Sequence, residues 1–140
     1  MFILDTNPIS ILERRGANAD RLVNRLAEIP SSEIFVTVIS YEEQIRGWTA
    51  ALGATKNTSA QVLQYARLLA QLENYCNLSI LPFDPVAAII FDDLRKMHRR
   101  ISSPDLKIAA ITLVNNATLI TQNEQDFRNI VGLKLEDWTR

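Results

Sequence analysis

The sequence is poor in the residues that build soft-metal and nucleophilic centres: it holds one cysteine, Cys76, and one histidine, His98, in 140 residues. A lone cysteine forms no internal disulfide and no thiolate cluster for zinc, which suits a reducing cytoplasm, the expected location. A lone histidine argues against a histidine-rich metal site and against a Ser-His-Asp hydrolase. Charge of one sign is missing as well. Lys plus Arg is 15 and Asp plus Glu is 16, a net charge of −1, so the total favours no polyanionic partner. No apolar run reaches the roughly 18 residues of a membrane span. Asp5 interrupts the apolar start and no basic residue precedes it, so no secretion signal is expected.

What is present is a set of acids placed where strands end. A hydrophobic content of 47% predicts one globular domain over residues 1–140. Five short apolar or β-branched stretches, at 2–5, 34–38, 78–82, 118–121 and 131–135, alternate with segments of helical spacing. That alternation predicts an α/β fold of parallel strands joined by crossover helices. Val86, Ile90, Leu94, Met97 and Ile101 recur every three or four residues, and Asp84-Pro85 marks the start of their helix. Segment 59–75 carries Val62, Ala66, Leu69 and Leu72 on one stripe. With residues 40–52 and the turn "GATKNTS" it forms a helical hairpin arm at about 40–75. Tyr65, Leu68 and Leu72 on this arm suit core packing first, and a partner groove or dimer seam second.

Asp5 follows the first strand in "MFILDTNPIS" and, taken alone, reads as a helix N-cap. Yet the carboxyl edge of a parallel sheet is also where ligands bind. In "ISYEEQIRG" Ser40 is a candidate cap, which puts Glu42 and Glu43 in the first helical turn, where the dipole favours acids without any chemistry. In "ISSPDLKIAAIT" Ser102 or Ser103 caps a nearly all-apolar helix with Asp105 in its first turn. "TLITQNEQDF" leaves the fourth strand with Thr121, Asn123, Glu124 and Asp126. Each acid has a separate explanation in capping or turn chemistry. In a parallel sheet, however, they share one edge, where crowded carboxylates raise one another's pKa unless a cation neutralises them. Oxygen-only ligands suit Mg²⁺ or Mn²⁺, ions that generate hydroxide for attack on a phosphodiester.

"LDTN" with Asp5, "SYEEQIRG", "SSPDLKIAA" with Asp105 and "TQNEQDF", in that order across essentially the whole chain, resemble the PIN-domain ribonucleases. Within them the likeness is to the VapC toxins of bacterial toxin–antitoxin pairs. The resemblance implies a three-layer α/β/α sandwich with a mostly parallel sheet of four to five strands. It also implies a Mg²⁺-dependent endoribonuclease, with Mn²⁺ as a substitute, that acts as a homodimer. Its partner would be a small cognate antitoxin, VapB-like or of another DNA-binding type. By matching positions, Asp5, Glu43 and Asp105 are the implied acidic ligands. Glu43 is preferred to Glu42 because the family's Glu stands four residues before its Gly, here Gly47.

The match loosens at the fourth acid, where family members carry Asp and this chain has Asn123. Asn123 would hold a metal-bound water, and Asp126 would serve catalysis, bind a second ion or only cap a short helix. Thr6 and Thr121 are candidates to orient carboxylates or contact a phosphate. Arg46, one turn after Glu43, is a candidate substrate contact. For RNA phosphates two basic groups are available, Arg14, Arg15, Arg21 and Arg25, and the run "RKMHRR" from Arg95 to Arg100; both also read as solvated helix faces. Two alternatives remain: a non-catalytic RNA- or protein-binding module of the same fold, and a receiver-type signalling domain with Asp84 as phosphate acceptor.

Overall fold

The computed structural model describes residues 1–140. The chain runs β1 (Phe2–Leu4), α1 (Thr6–Arg14), α2 (Ala17–Ala27), β2 (Ile34–Thr37), α3 (Val38–Ala54), α4 (Thr58–Cys76) and β3 (Ile80–Leu81). It continues through α5 (Pro85–Met97), α6 (Ser103–Val114), β4 (Thr118–Ile120), α7 (Glu124–Phe127) and β5 (Lys134–Glu136). The five strands form a sheet of order β3-β2-β1-β4-β5, and every ladder is parallel.

The inner strands β1, β2 and β4 are largely apolar because helices cover both faces, as a parallel sheet requires, whereas the edge strand β5 carries Lys134 and Glu136. Alternation divides the side chains between two cores. Ile3 and Leu119 pack with Ala87 and Leu94 of α5, Leu106 and Ile108 to Ile111 of α6, and Phe127 of α7. Leu4, Val36 and Ile120 pack on the opposite face with Ile9 of α1, Leu22 of α2 and Tyr75 of α4. The result is the α/β/α sandwich expected from the sequence. α6 is buried nearly all round, in keeping with its apolar composition.

The topology positions the site. From β1 the chain moves outward to β2 and β3, then returns to the other flank of β1 for β4 and β5. The order reverses between β1 and β4, and at such a switch point a crevice opens beyond the carboxyl ends of the strands. Leu4 is in register with Ile120, so the next residues, Asp5 and Thr121, emerge side by side. α6 leads directly into β4, so its N-terminus, with Asp105, lies at this same edge.

Four expectations are corrected. The fifth strand is Lys134–Glu136 rather than 131–135, because Gly132 takes a left-handed conformation (φ 82°) and the chain turns there before pairing with β4. Helix α3 begins at Val38, capped by Thr37, whose hydroxyl accepts from Ser40 N at 3.2 Å; Glu42 and Glu43 therefore fall in the second turn, and Ser40 is not the cap. The α4 stripe Val62, Leu69 and Leu72 is exposed, while Gln71 and Tyr75 face inward. A polar clasp takes that inner face. Gln44 Oε1 accepts from Gln71 Nε2 at 2.6 Å and from the Tyr75 hydroxyl, and Gln44 Nε2 donates to Ser10 Oγ at 3.3 Å, fixing α3 next to Glu43. Finally, α5 ends at Met97 and packs through Ala87, Ile90, Phe91 and Leu94, leaving Val86 and Met97 exposed. No helix is long and apolar enough to cross a membrane.

Candidate active site

Asp5 is both a cap and a buried acid. As N-cap of α1 its Oδ1 accepts from Thr6 N at 2.8 Å, while Oδ2 accepts from the Thr121 hydroxyl at 2.8 Å. Its own N–H donates to Ile120 O at 2.9 Å, which ties it to β4 across the switch point. Only 5% of the residue is exposed. Burial outweighs both hydrogen bonds and pushes its pKa up to about 6, with Asp105 and Glu43 adding like-charge repulsion.

Thr121 is fully buried, donates to Asp5 and accepts from Asn123 N at 3.0 Å, so it links the acid to the β4–α7 turn. Thr121→Val keeps the shape and removes both bonds. It is expected to lower the rate of the RNA cleavage that the resemblance implies about 10–100-fold, the usual loss when a carboxylate's orienting partner goes, with the far-ultraviolet dichroism unchanged. A rate within twofold of wild type would deny the hydroxyl this orienting role.

Glu43 reaches the same edge from α3. The Thr6 hydroxyl donates to Glu43 Oε1 at 2.9 Å and lies 2.9 Å from Ser40 Oγ. Thr6 has one proton, so with it given to the carboxylate the Ser40 hydroxyl is the donor to Thr6. Ser40 thus belongs to the site's supporting layer, a role the sequence reading missed. The available signal was spacing, since Ser40 and Glu43 stand three apart on one helix face. Burial raises the pKa of Glu43, Thr6 opposes the rise, and Asp105 adds to it.

Asp105 lies in the first turn of α6, whose cap Ser102 accepts from Asp105 N at 3.3 Å. Its pKa is raised by burial first and then by Asp126. Asp126 itself is exposed and accepts from Asn123 Nδ2 at 2.6 Å, which places the Asn123/Asp126 pair on the outer rim. Arg46 pairs with Glu42 on the exposed side of α3. Asp84 accepts from Ala87 N at 2.8 Å and serves α5 as its cap, which removes the main support for the receiver reading.

Like-charge repulsion therefore links the acids: Asp105 and Glu43 raise the pKa of Asp5, Asp105 raises that of Glu43, and Asp126 raises that of Asp105. No arginine, lysine or amino terminus compensates them, because the ion pairs of the protein are Met1–Glu33, Arg25–Glu28, Arg46–Glu42 and Arg140–Asp137. No three of these acids converge closely enough to ligate an ion by themselves. The donor set nevertheless fits a hydrated Mg²⁺ or Mn²⁺, which keeps several waters and needs only one or two direct carboxylates.

A family model described as PIN domain matches residues 2–133. Ribonuclease VapC1 of Haemophilus influenzae strain R2866 is 32% identical over 144 residues, covering 100% of this chain and 99% of that protein. Among solved structures, FitAcB from Neisseria gonorrhoeae is similar with a TM-score of 0.74 and 25% identity, covering 99% of this chain and 98% of the other. VapBC-5 from Mycobacterium tuberculosis, a member of the VapBC family of toxin-antitoxin systems, has a TM-score of 0.63 at 24% identity over 96% of each chain, which shows a shared fold.

Proposed function

The chain belongs to the PIN-domain family, and from that premise we propose that it is a Mg²⁺-dependent endoribonuclease toxin of the VapC type, neutralised by a cognate antitoxin. The observation that carries the reading is Asp5. A buried carboxylate at the switch point, held by two hydrogen bonds and facing two further acids without a counter-charge, is costly unless a cation completes it.

In this reading Asp5, Glu43 and Asp105 would hold a hydrated Mg²⁺, or Mn²⁺ in its place, in part through its waters, and Asn123 would offer its carbonyl from the rim. When bound, the ion lowers the pKa of attacking water and neutralises charge developing on the phosphodiester. The chain's own residues do the positioning. Thr121 fixes the rotamer of Asp5, and the Ser40–Thr6 pair fixes that of Glu43. Asp126, exposed beside Asp105, would take the proton from the attacking water or give one to the leaving oxygen. Arg46 is kept at the outer face by Glu42, so any role toward substrate would require that pair to open.

The antitoxin partner belongs to the same proposal: the likeness by sequence is to Ribonuclease VapC1, and VapBC-5, which shares the fold, is a member of a toxin–antitoxin family. The exposed apolar stripe of α4, Val62, Leu69 and Leu72, suits the homodimer expected for this fold. The test is cleavage of total RNA by purified, antitoxin-free protein. Cleavage is expected with Mg²⁺ or Mn²⁺ and is abolished by EDTA. Folded protein that cuts no RNA with either ion would refute the enzyme reading.

A further inference from the structure

Two basic groups compete as RNA contacts, and the fold separates them. A groove of about 570 Å³ opens between the 98–102 connection and α7, with Lys96, Arg99 and Arg100 on one wall and Asp126 of the site's rim on the other. Arg95 anchors this connection, donating to Ile101 O at 3.0 Å and to Ser103 Oγ at 2.9 Å. Ser103 opens α6, so the same guanidinium ties the groove to the turn that carries Asp105.

The three wall cations are exposed and none makes an ion pair. A second groove, of about 660 Å³ between α2 and the end of β5, holds Arg21, Arg25 and Arg140 but faces them with four carboxylates. Two of its arginines are already taken, Arg25 by Glu28 and Arg140 by Asp137. Arg14 and Arg15 lie at the end of α1 away from Asp5. A polyanion therefore meets net positive charge in the first groove, three cations against Asp126, and net negative charge in the second.

The first groove also carries groups for bases. His98 is half-buried on its lining and presents a ring on which a base can stack, while Gln125 and Asn129 supply amides beside it. We propose that this groove seats single-stranded RNA beside the scissile phosphate, with Lys96, Arg99 and Arg100 on successive phosphates and Gln125 and Asn129 at base edges. The assignment rests on the ribonuclease reading and deepens it by locating the strand.

The experiment uses the full chain carrying Asp5→Asn, so that RNA is bound and not cut, with fluorescence anisotropy of a short fluorescein-labelled single-stranded RNA of mixed sequence across a salt series. Adding Lys96→Ala/Arg99→Ala/Arg100→Ala should weaken binding about 10–100-fold at low salt and reduce the log–log salt slope by about 2, since each phosphate contact on a single strand contributes about 0.7. The charge-matched set Arg14→Ala/Arg21→Ala/Lys56→Ala should stay within about twofold, and Lys96→Arg/Arg99→Lys/Arg100→Lys should keep the slope. Unchanged binding in the first set, or an equal loss in the charge-matched set, overturns the proposal. Cleavage by the wild-type chain separates the two ideas. If it cuts RNA while the groove variant binds as before, the groove is wrong and the ribonuclease stands. If it cuts nothing while the groove variant alone loses binding, the groove stands and the ribonuclease does not.

Discussion

Asp5→Asn abolishes RNA cleavage and, in the metal-free protein at pH 7, raises the melting temperature. The loss should exceed the roughly 100-fold typical of losing an orienting partner, because on the proposed reading a donor oxygen to the ion is itself removed. The gain in stability follows from the sign of the pKa shift. The Asp5 carboxyl titrates near 4 in the unfolded chain and at about 6 in the fold, so the folded state holds its proton more tightly. Below pH 4 both states are protonated and the variant gains nothing. As pH rises through 6 the wild-type fold must carry a buried charge, a penalty of about 3 kcal/mol at neutral pH. Asn carries no charge, still caps α1, and lets the Thr121 hydroxyl reorient to accept. For a chain of this size the melting temperature at pH 7 should rise by roughly 5–10 °C, and the difference from wild type should shrink toward zero at pH 4. A variant that retains cleavage, or is destabilised at pH 7, contradicts this account of Asp5.

Metal affinity should fall steeply in the same pH window. Proton and divalent ion compete for Asp5, so the apparent dissociation constant for Mn²⁺ should rise about tenfold per pH unit below pH 6, more where Glu43 or Asp105 also takes up a proton. At pH 7, metal at 100 times its dissociation constant should add about 2.7 kcal/mol to the stability of the wild type. Thermal denaturation with and without Mn²⁺ at pH 5 and pH 7 measures this. The increment should be large at pH 7, small at pH 5, and absent from Asp5→Asn at both. An increment independent of pH, or preserved in the variant, would place the ion elsewhere.

The parallel sheet and its acidic edge are legible in the sequence because the strands are short apolar runs and two of the acids sit at helix starts marked by proline, Pro8 after Asp5 and Pro104 before Asp105. What is not legible depends on contacts distant in the chain. The β-branched run "VTVI" gives no sign that the strand stops at Thr37 and the helix begins at Val38; the register of β2 against β1 and β3 decides it. Ser40 reads as a cap from its neighbours and becomes a partner of Thr6 only when β1 and β2 are adjacent. The α4 stripe points outward because Gln44, Gln71 and Tyr75 satisfy one another inside, which no hydrophobic period reveals. The basic run at Arg95 to Arg100 is obvious as composition, but its place beside Asp105 follows from the two bonds that Arg95 makes to the chain beyond it.

Crystals soaked in Mn²⁺ and recorded at the manganese absorption edge give the most direct measurement. An anomalous peak bounded by the carboxylates of Asp5, Glu43 and Asp105, and missing from Asp5→Asn crystals treated alike, is the predicted result. A map with no peak at the carboxyl edge of β1, or with the peak retained in the variant, would mean that these acids do not share an ion.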